Sequence, residues 1–149
     1  MKRLLTSIAV GMLTFAAYAQ WSNPVEDVPA YHATAPAPGV ALPPLLSGSQ
    51  LTGPNFTHPW QKAIYRDVAP IKVQKILYQL PCFCRCDRAL GHQSLHSCFE
   101  GLHGAECSTC AKEGYYAYEM SKQGKTAKQI RDGIMHKDFE KIDLNSIGM

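Results

Sequence analysis

The chain has 149 residues, with 15 lysines and arginines against 12 aspartates and glutamates, a formal net charge of +3. Without Lys2 and Arg3 the balance is nearly neutral, so the basic excess belongs to the extreme N-terminus and nucleic-acid binding is not expected. Six cysteines in one short window, Cys82 to Cys110, set this chain apart from an ordinary small domain.

The first residues read as an export signal. Lys2 and Arg3 make a positive start, Leu4 to Ala16 an apolar run, and Ala17-Tyr18-Ala19 an A-x-A cleavage site, so residues 1–19 are expected to be removed and the mature chain to begin near Gln20. The run is shorter than the roughly 18 to 20 residues a spanning helix needs, and Thr6, Ser7, Gly11 and Thr14 dilute it. A periplasmic or other extracytoplasmic location, with no transmembrane anchor after cleavage, is the expectation. Lys2-Arg3 is not a twin-arginine pair, which implies export unfolded and loading of any metal afterwards.

Residues 20–55 are rich in Pro, Ala, Gly and Ser, with Pro36-Ala37-Pro38-Gly39, Pro43-Pro44 and Ser47-Gly48-Ser49, and carry no helical or strand period. This predicts an extended, disordered linker. Val40, Leu42, Leu45 and Leu46 offer the alternative of an arm docked on the domain.

Residues 56–149 are enough for one small domain, of the kind that often needs a metal or disulfide staple. Thr57 as N-cap and Pro59 in the first turn open a helix through Trp60, Ile64 and Val68, which stops before Pro70. Pro70 opens a second, with Ile71, Ile76, Leu77 and Leu80 as its apolar stripe and Pro81 as its end. Cys82, Cys84 and Cys86 follow. In an extended segment their side chains share one face, which brings three thiols together.

A short helix is expected between Gly91 and Glu100, placing His92 and His96 four apart on one face, where they could share a metal. No H-E-x-x-H arrangement supplies a general base, so a hydrolytic zinc site is disfavoured. His103, between Gly101 and Gly104, is a ligand candidate by proximity only. Cys107 and Cys110 open a further helix capped by Ser108 or Thr109, with Ala111, Tyr115, Tyr118 and Met120 on its buried side. A helix N-terminus stabilises thiolates for ligation and for disulfide exchange alike. No apolar strand precedes Cys107, which argues against a thioredoxin-like unit. Gly124 ends that helix, and Thr126 to Gln129 reads as a capping box for a last one carrying Ile130, Ile134 and Phe139.

Three chemistries suit this cysteine set. Thiolate plus imidazole is the ligand set of Zn and Cu(I). An even number of cysteines in an exported chain is also read as a disulfide framework, although C-x-C partners close very small strained rings. Redox-active thiols are the third.

The stretch Leu80-Pro81-Cys82-Phe83-Cys84-Arg85-Cys86, then Gly91-His92 with Ser94, Cys98-Phe99, Cys107-x-x-Cys110 and two C-terminal amphipathic helices resembles the bacterial PCYCGC-motif (CYCXC) proteins over about Trp60 to Leu144. The resemblance implies an exported protein with reactive redox or metal-binding chemistry at the motif, because some relatives carry selenocysteine there. Here Phe83 stands for tyrosine and Arg85 for glycine, and no lipid-attachment cysteine ends the signal. If that glycine has a positive φ in the family, Arg85 is strained; its charge is also expected to lower the pKa of the neighbouring thiols.

The expected architecture is an all-α domain of four or five short helices stapled by a Cys/His site. Its metal-ligand candidates are Cys82, Cys84, Cys86, Cys98, Cys107, Cys110 and His92. Cu(I) or Zn suits them better than an iron-sulfur cluster. The readings left open are a thiol-disulfide or electron-transfer protein and a disulfide-stapled interaction module. A metal donor or acceptor protein, or an electron donor or acceptor protein, is the partner class; no catalytic residue is expected outside the thiols.

Overall fold

The computed structural model describes residues 27–148. The expected signal, its Ala17-Tyr18-Ala19 site and the start of the linker lie outside the described residues. These fold into seven helices without a strand: α1 (Pro59–Val68), α2 (Ile71–Leu77), α3 (Cys86–Leu90), α4 (Leu95–Glu100), α5 (His103–Glu106), α6 (Ser108–Lys122) and α7 (Ala127–Met135). Short 3-10 turns occupy Gly48–Gln50, Asp138–Lys141 and Leu144–Ser146. The all-α class agrees with the sequence, but there are seven helices instead of four or five. The additional ones, α3 and α5, are five and four residues long, too short to display an amphipathic period. No helix among the described residues is long and apolar enough to cross a membrane.

The longest helix, α6, is the hub: α1, α2, α4, α5 and α7 all pack against it. Its buried face is made of small residues, Cys110, Ala111, Gly114, Ala117 and Ser121, together with Glu113. Tyr115 and Tyr118, expected on that face, are only partly buried. Small side chains let short helices approach closely. The Phe99 ring on α4 takes up the resulting space: a Cβ at Gly104 would lie 2.7 Å from it, and one at Gly114 2.4 Å.

Pro59 begins α1 as expected, but His58 is its N-cap, one residue past Thr57. Gln61 ties α1 to α5 by donating from Nε2 to the Ala105 carbonyl at 2.9 Å. In α2 the buried stripe is Val73, Ile76, Leu77 and, just past the helix, Leu80. Ile71 is 60% exposed, contrary to expectation. Two residues before Val73 on a helix of about 3.6 residues per turn, it points to the opposite side. Gly124 follows α6 at φ 76°, and Thr126 caps α7 by accepting from the Gln129 N–H at 3.2 Å. Ile130, Ile134 and Phe139 are buried as expected.

Between residues 27 and 46 the Pro/Ala-rich segment has no regular structure and lies against the helices. His32 stacks on Tyr78 with ring centroids 3.7 Å apart. The Leu46 N–H donates to the Phe99 carbonyl at 3.0 Å, and Ala30 N–H to Asp87 Oδ2 at 3.1 Å. The docked-arm alternative describes these contacts.

Candidate metal centre

The cysteines enter the centre from four places. Cys82 and Cys84 lie on the loop leaving Leu80, Cys86 begins α3, Cys98 is on α4, and Cys107 and Cys110 flank the start of α6. The loop is not extended, as alternation supposed. It turns, with Arg85 N–H donating to the Cys82 carbonyl at 3.3 Å, and the turn makes the thiols converge. Cys82 Sγ is 3.2 Å from Cys110 Sγ and 3.4 Å from Cys84 Sγ. Cys84 and Cys110 sulfurs are 3.4 Å apart, as are those of Cys86 and Cys98.

The donor atoms form two groups, each mutually within 4.8 Å: Cys82, Cys86, Cys98 and Cys110, all buried; and Cys84, Cys86, His103 and Cys110. A tetrahedral ion with metal–sulfur bonds of about 2.3 Å sets its sulfurs about 3.8 Å apart, so small adjustments would fit one among these atoms. A disulfide, with its bond of about 2.05 Å, would require a larger approach by any pair. All six cysteines are free thiols.

A family described as protein of unknown function with PCYCGC motif matches residues 49–141. The chain belongs to this family. No curated protein and no solved structure matches it. In this PCYCGC-motif protein the matched region begins before Leu51, which is fully buried, so the family unit takes in the end of the Pro-rich segment.

The departure from the motif at Arg85 has a defined conformation. Arg85 adopts φ 64° and ψ 30°, the left-handed region a glycine enters freely, and serves as N-cap of α3. For a residue with a Cβ this costs about 1–2 kcal/mol. The guanidinium turns to Asp27, with Nη2 2.6 Å from Oδ2, and Arg88 pairs with the same carboxylate at 2.7 Å. Its charge is thereby compensated in place.

What moves the thiols instead is their neighbours. Cys84 is held well below the ordinary thiol range by hydrogen bonds from Cys107, then Cys110 and Cys82. Cys86 and Cys98 are lowered first by Cys110 and then by Cys82. Cys110 is raised, by Cys107 first and then by Cys82, Cys84, Cys86 and burial. The Cys110 hydrogen bond acts downward on Cys82, but Cys84, Cys86, Cys98 and burial together raise it. The shifts belong to the cluster as a whole, with Cys84, Cys86 and Cys98 biased toward the thiolate and Cys82 and Cys110 toward the thiol. Soft donors converging this closely suit a cation.

The histidines divide differently from the expected His92/His96 pair. His92 precedes α4, and its Nδ1 lies 3.4 Å from Cys98 Sγ. His96 is fully inside and its Nδ1 instead meets Glu100 Oε1 at 2.8 Å, away from the sulfurs. The expected face is lost because α4 starts at Leu95, leaving His92 outside helical register. His103 Nε2 is 3.5 Å from Cys84 Sγ, and its ring meets that of His92 edge-on at 5.4 Å. Burial lowers both His92 and His103, yet Cys98 and Cys84 respectively raise them to a net upward shift. Cys107 stands outside both groups, close enough to Cys84 and Cys110 to lead the shifts of each.

Two residues of the centre were not legible as such. His103 had only its nearness in sequence to recommend it. Glu113 gave no signal: it lies on α6 one turn after Cys110, is wholly buried, and accepts the Phe83 N–H on Oε1 at 2.8 Å. Desolvation pushes its pKa well above the carboxylate range, and its bond from Phe83 fixes the motif loop.

Proposed function

We propose that this is an exported protein that binds a soft d10 metal ion, Cu(I) or Zn, at the Cys82/Cys86/Cys98/Cys110 group. The observation that carries this reading is the mutual closeness of four buried, free thiol sulfurs. Thiolates favour Cu(I) by softness, while a Cys/His set of four donors suits tetrahedral Zn. Export rests on the N-terminal signal pattern alone. The donors come from the motif loop, α3, α4 and α6, so an ion would also staple helices too short to hold one another by area.

The test is metal titration of reduced protein against a Cys82→Ser/Cys84→Ser/Cys86→Ser variant. Binding of Cu(I) or Zn at least tenfold tighter by the native chain supports the reading. Equal affinities overturn it.

A second reading is supported by one observation: Cys84, half-buried and with a lowered pKa, stands 3.4 Å from Cys110 and beside Cys107. A thiolate in that position could attack a partner's disulfide, and a second thiol of the cluster could then resolve the mixed disulfide, leaving the partner reduced with two electrons and two protons gained. A reduction potential above about −300 mV would favour it, and one well below would remove it.

A further inference from the structure

The two donor groups are not separate. Cys86 and Cys110 belong to both. Six distinct donors, five sulfurs and one imidazole nitrogen, therefore surround two positions that meet along a common edge formed by two cysteine sulfurs. One tetrahedral ion takes four donors and would leave Cys84 and His103, or Cys82 and Cys98, unused. Donors left over in this way are not spare surface groups: Cys98 is fully buried, and Cys84 and His103 each lie within 4.8 Å of Cys86 and Cys110, where a second ion could use them. A thiolate sulfur has lone pairs for two ions, so the sharing itself supplies what a second ion needs.

The two positions also differ in access. Every member of the first group is buried, whereas Cys84 and His103 in the second are partly exposed. An ion at the outer position would face solvent while its neighbour is sealed beneath it.

We infer that the centre holds two soft d10 cations bridged by Cys86 and Cys110, an inner one completed by Cys82 and Cys98 and an outer, exchangeable one completed by Cys84 and His103. This rests on the metal-binding reading above. The inner ion has a structural role, and the outer position is where metal enters or leaves, with Cys84 as the donor an incoming thiolate partner can reach.

The experiment is anaerobic titration of the reduced full chain with Cu(I), and separately with Zn(II), followed by native mass spectrometry. The expected result is two ions per chain, and one in a Cys84→Ser/His103→Ala variant; challenge with a chelator should take the first ion from the native protein at least tenfold faster than the second. X-ray absorption of the native two-ion form, which needs no variant, should show a metal–metal scattering path from the shared thiolates. No bound ion in either titration would overturn the metal-binding reading itself. Saturation at one ion, or two ions without a metal–metal path, would overturn the bridged pair while leaving that reading standing. Two ions retained by the double variant would equally overturn the assignment of the outer position.

Discussion

Arg85 sits in left-handed backbone geometry and is held there by Asp27, 58 residues earlier in the chain. The pair ties the Pro-rich arm to the loop that carries the sulfurs. Both side chains are mostly but not fully buried, so the bond is worth at most about 1 kcal/mol after solvent screening. Asp27→Ala is expected to lower stability by about that amount in urea unfolding, with the loss shrinking as salt is added. Arg85→Gly should cost less than Asp27→Ala, because glycine recovers the left-handed strain while the ion pair is lost. A larger cost for Arg85→Gly would contradict this balance.

Gly114→Ala should destabilise the fold. The new methyl would sit 2.4 Å from Cζ of Phe99, a contact that forces a ring or a helix to move. Overpacking of this kind costs about 1–3 kcal/mol, against a helix-propensity gain of about 1 kcal/mol from replacing glycine. A net loss in thermal or urea unfolding is the expected outcome. A neutral or stabilising result would mean that Phe99 is free to shift.

In the metal-free protein Cys84 should react first with iodoacetamide, and at a rate nearly constant from about pH 5 to 8, where an ordinary thiol of pKa about 8.5 speeds up roughly tenfold per unit. Its pKa is lowered and it is partly exposed, so it is already a thiolate across that range. Peptide mapping after brief alkylation checks this. Bound metal should suppress the reaction.

Metal affinity should rise with pH. Cys82 and Cys110 have raised pKa values and keep their protons in the metal-free state, and ligation must displace them. The histidines act in the same sense: the upward shift of His103 means that falling pH protonates it earlier than a free imidazole, removing its lone pair from the outer position. Titrations at several pH values with a proton-release indicator would measure both effects. An affinity that falls from pH 6 to 8 would contradict them.

His92→Ala is expected to weaken metal binding by about 10- to 100-fold, the usual effect of removing a side chain hydrogen-bonded to a ligand, here Cys98. His96→Ala should leave affinity unchanged and reduce stability, since its ring is packed inside and turned to Glu100. Isothermal titration of the two variants separates these outcomes.

The longer helices and their caps were legible because each carries local signals: Pro59 and Pro70 at helix starts, Gly124 at an end, and the Thr126/Gln129 box. The cysteine cluster was legible as a set because its members crowd one window. Its internal geometry was not. Which thiols meet depends on a turn at Cys82–Arg85 and on one-turn helices at Cys86 and His103, whose form comes from tertiary packing and leaves no period in the sequence. His92 and His96 mislead for the same reason: a spacing of four is informative only if one helix spans both positions, and α4 begins between them. Glu113 is silent because a buried acid and a solvated one on a helix are written with the same letter.

Phe99 offers no donor atom, yet it follows Cys98 directly, and its ring fills the space over Gly104, next to His103, and over Gly114, one turn beyond Cys110. Three ligand-bearing helices thus rest on one benzene ring as blocks rest on a shim. Its thickness is the gauge to which the sulfurs are set, so a change in ring size at position 99 would retune the grip on an ion without altering a single ligand.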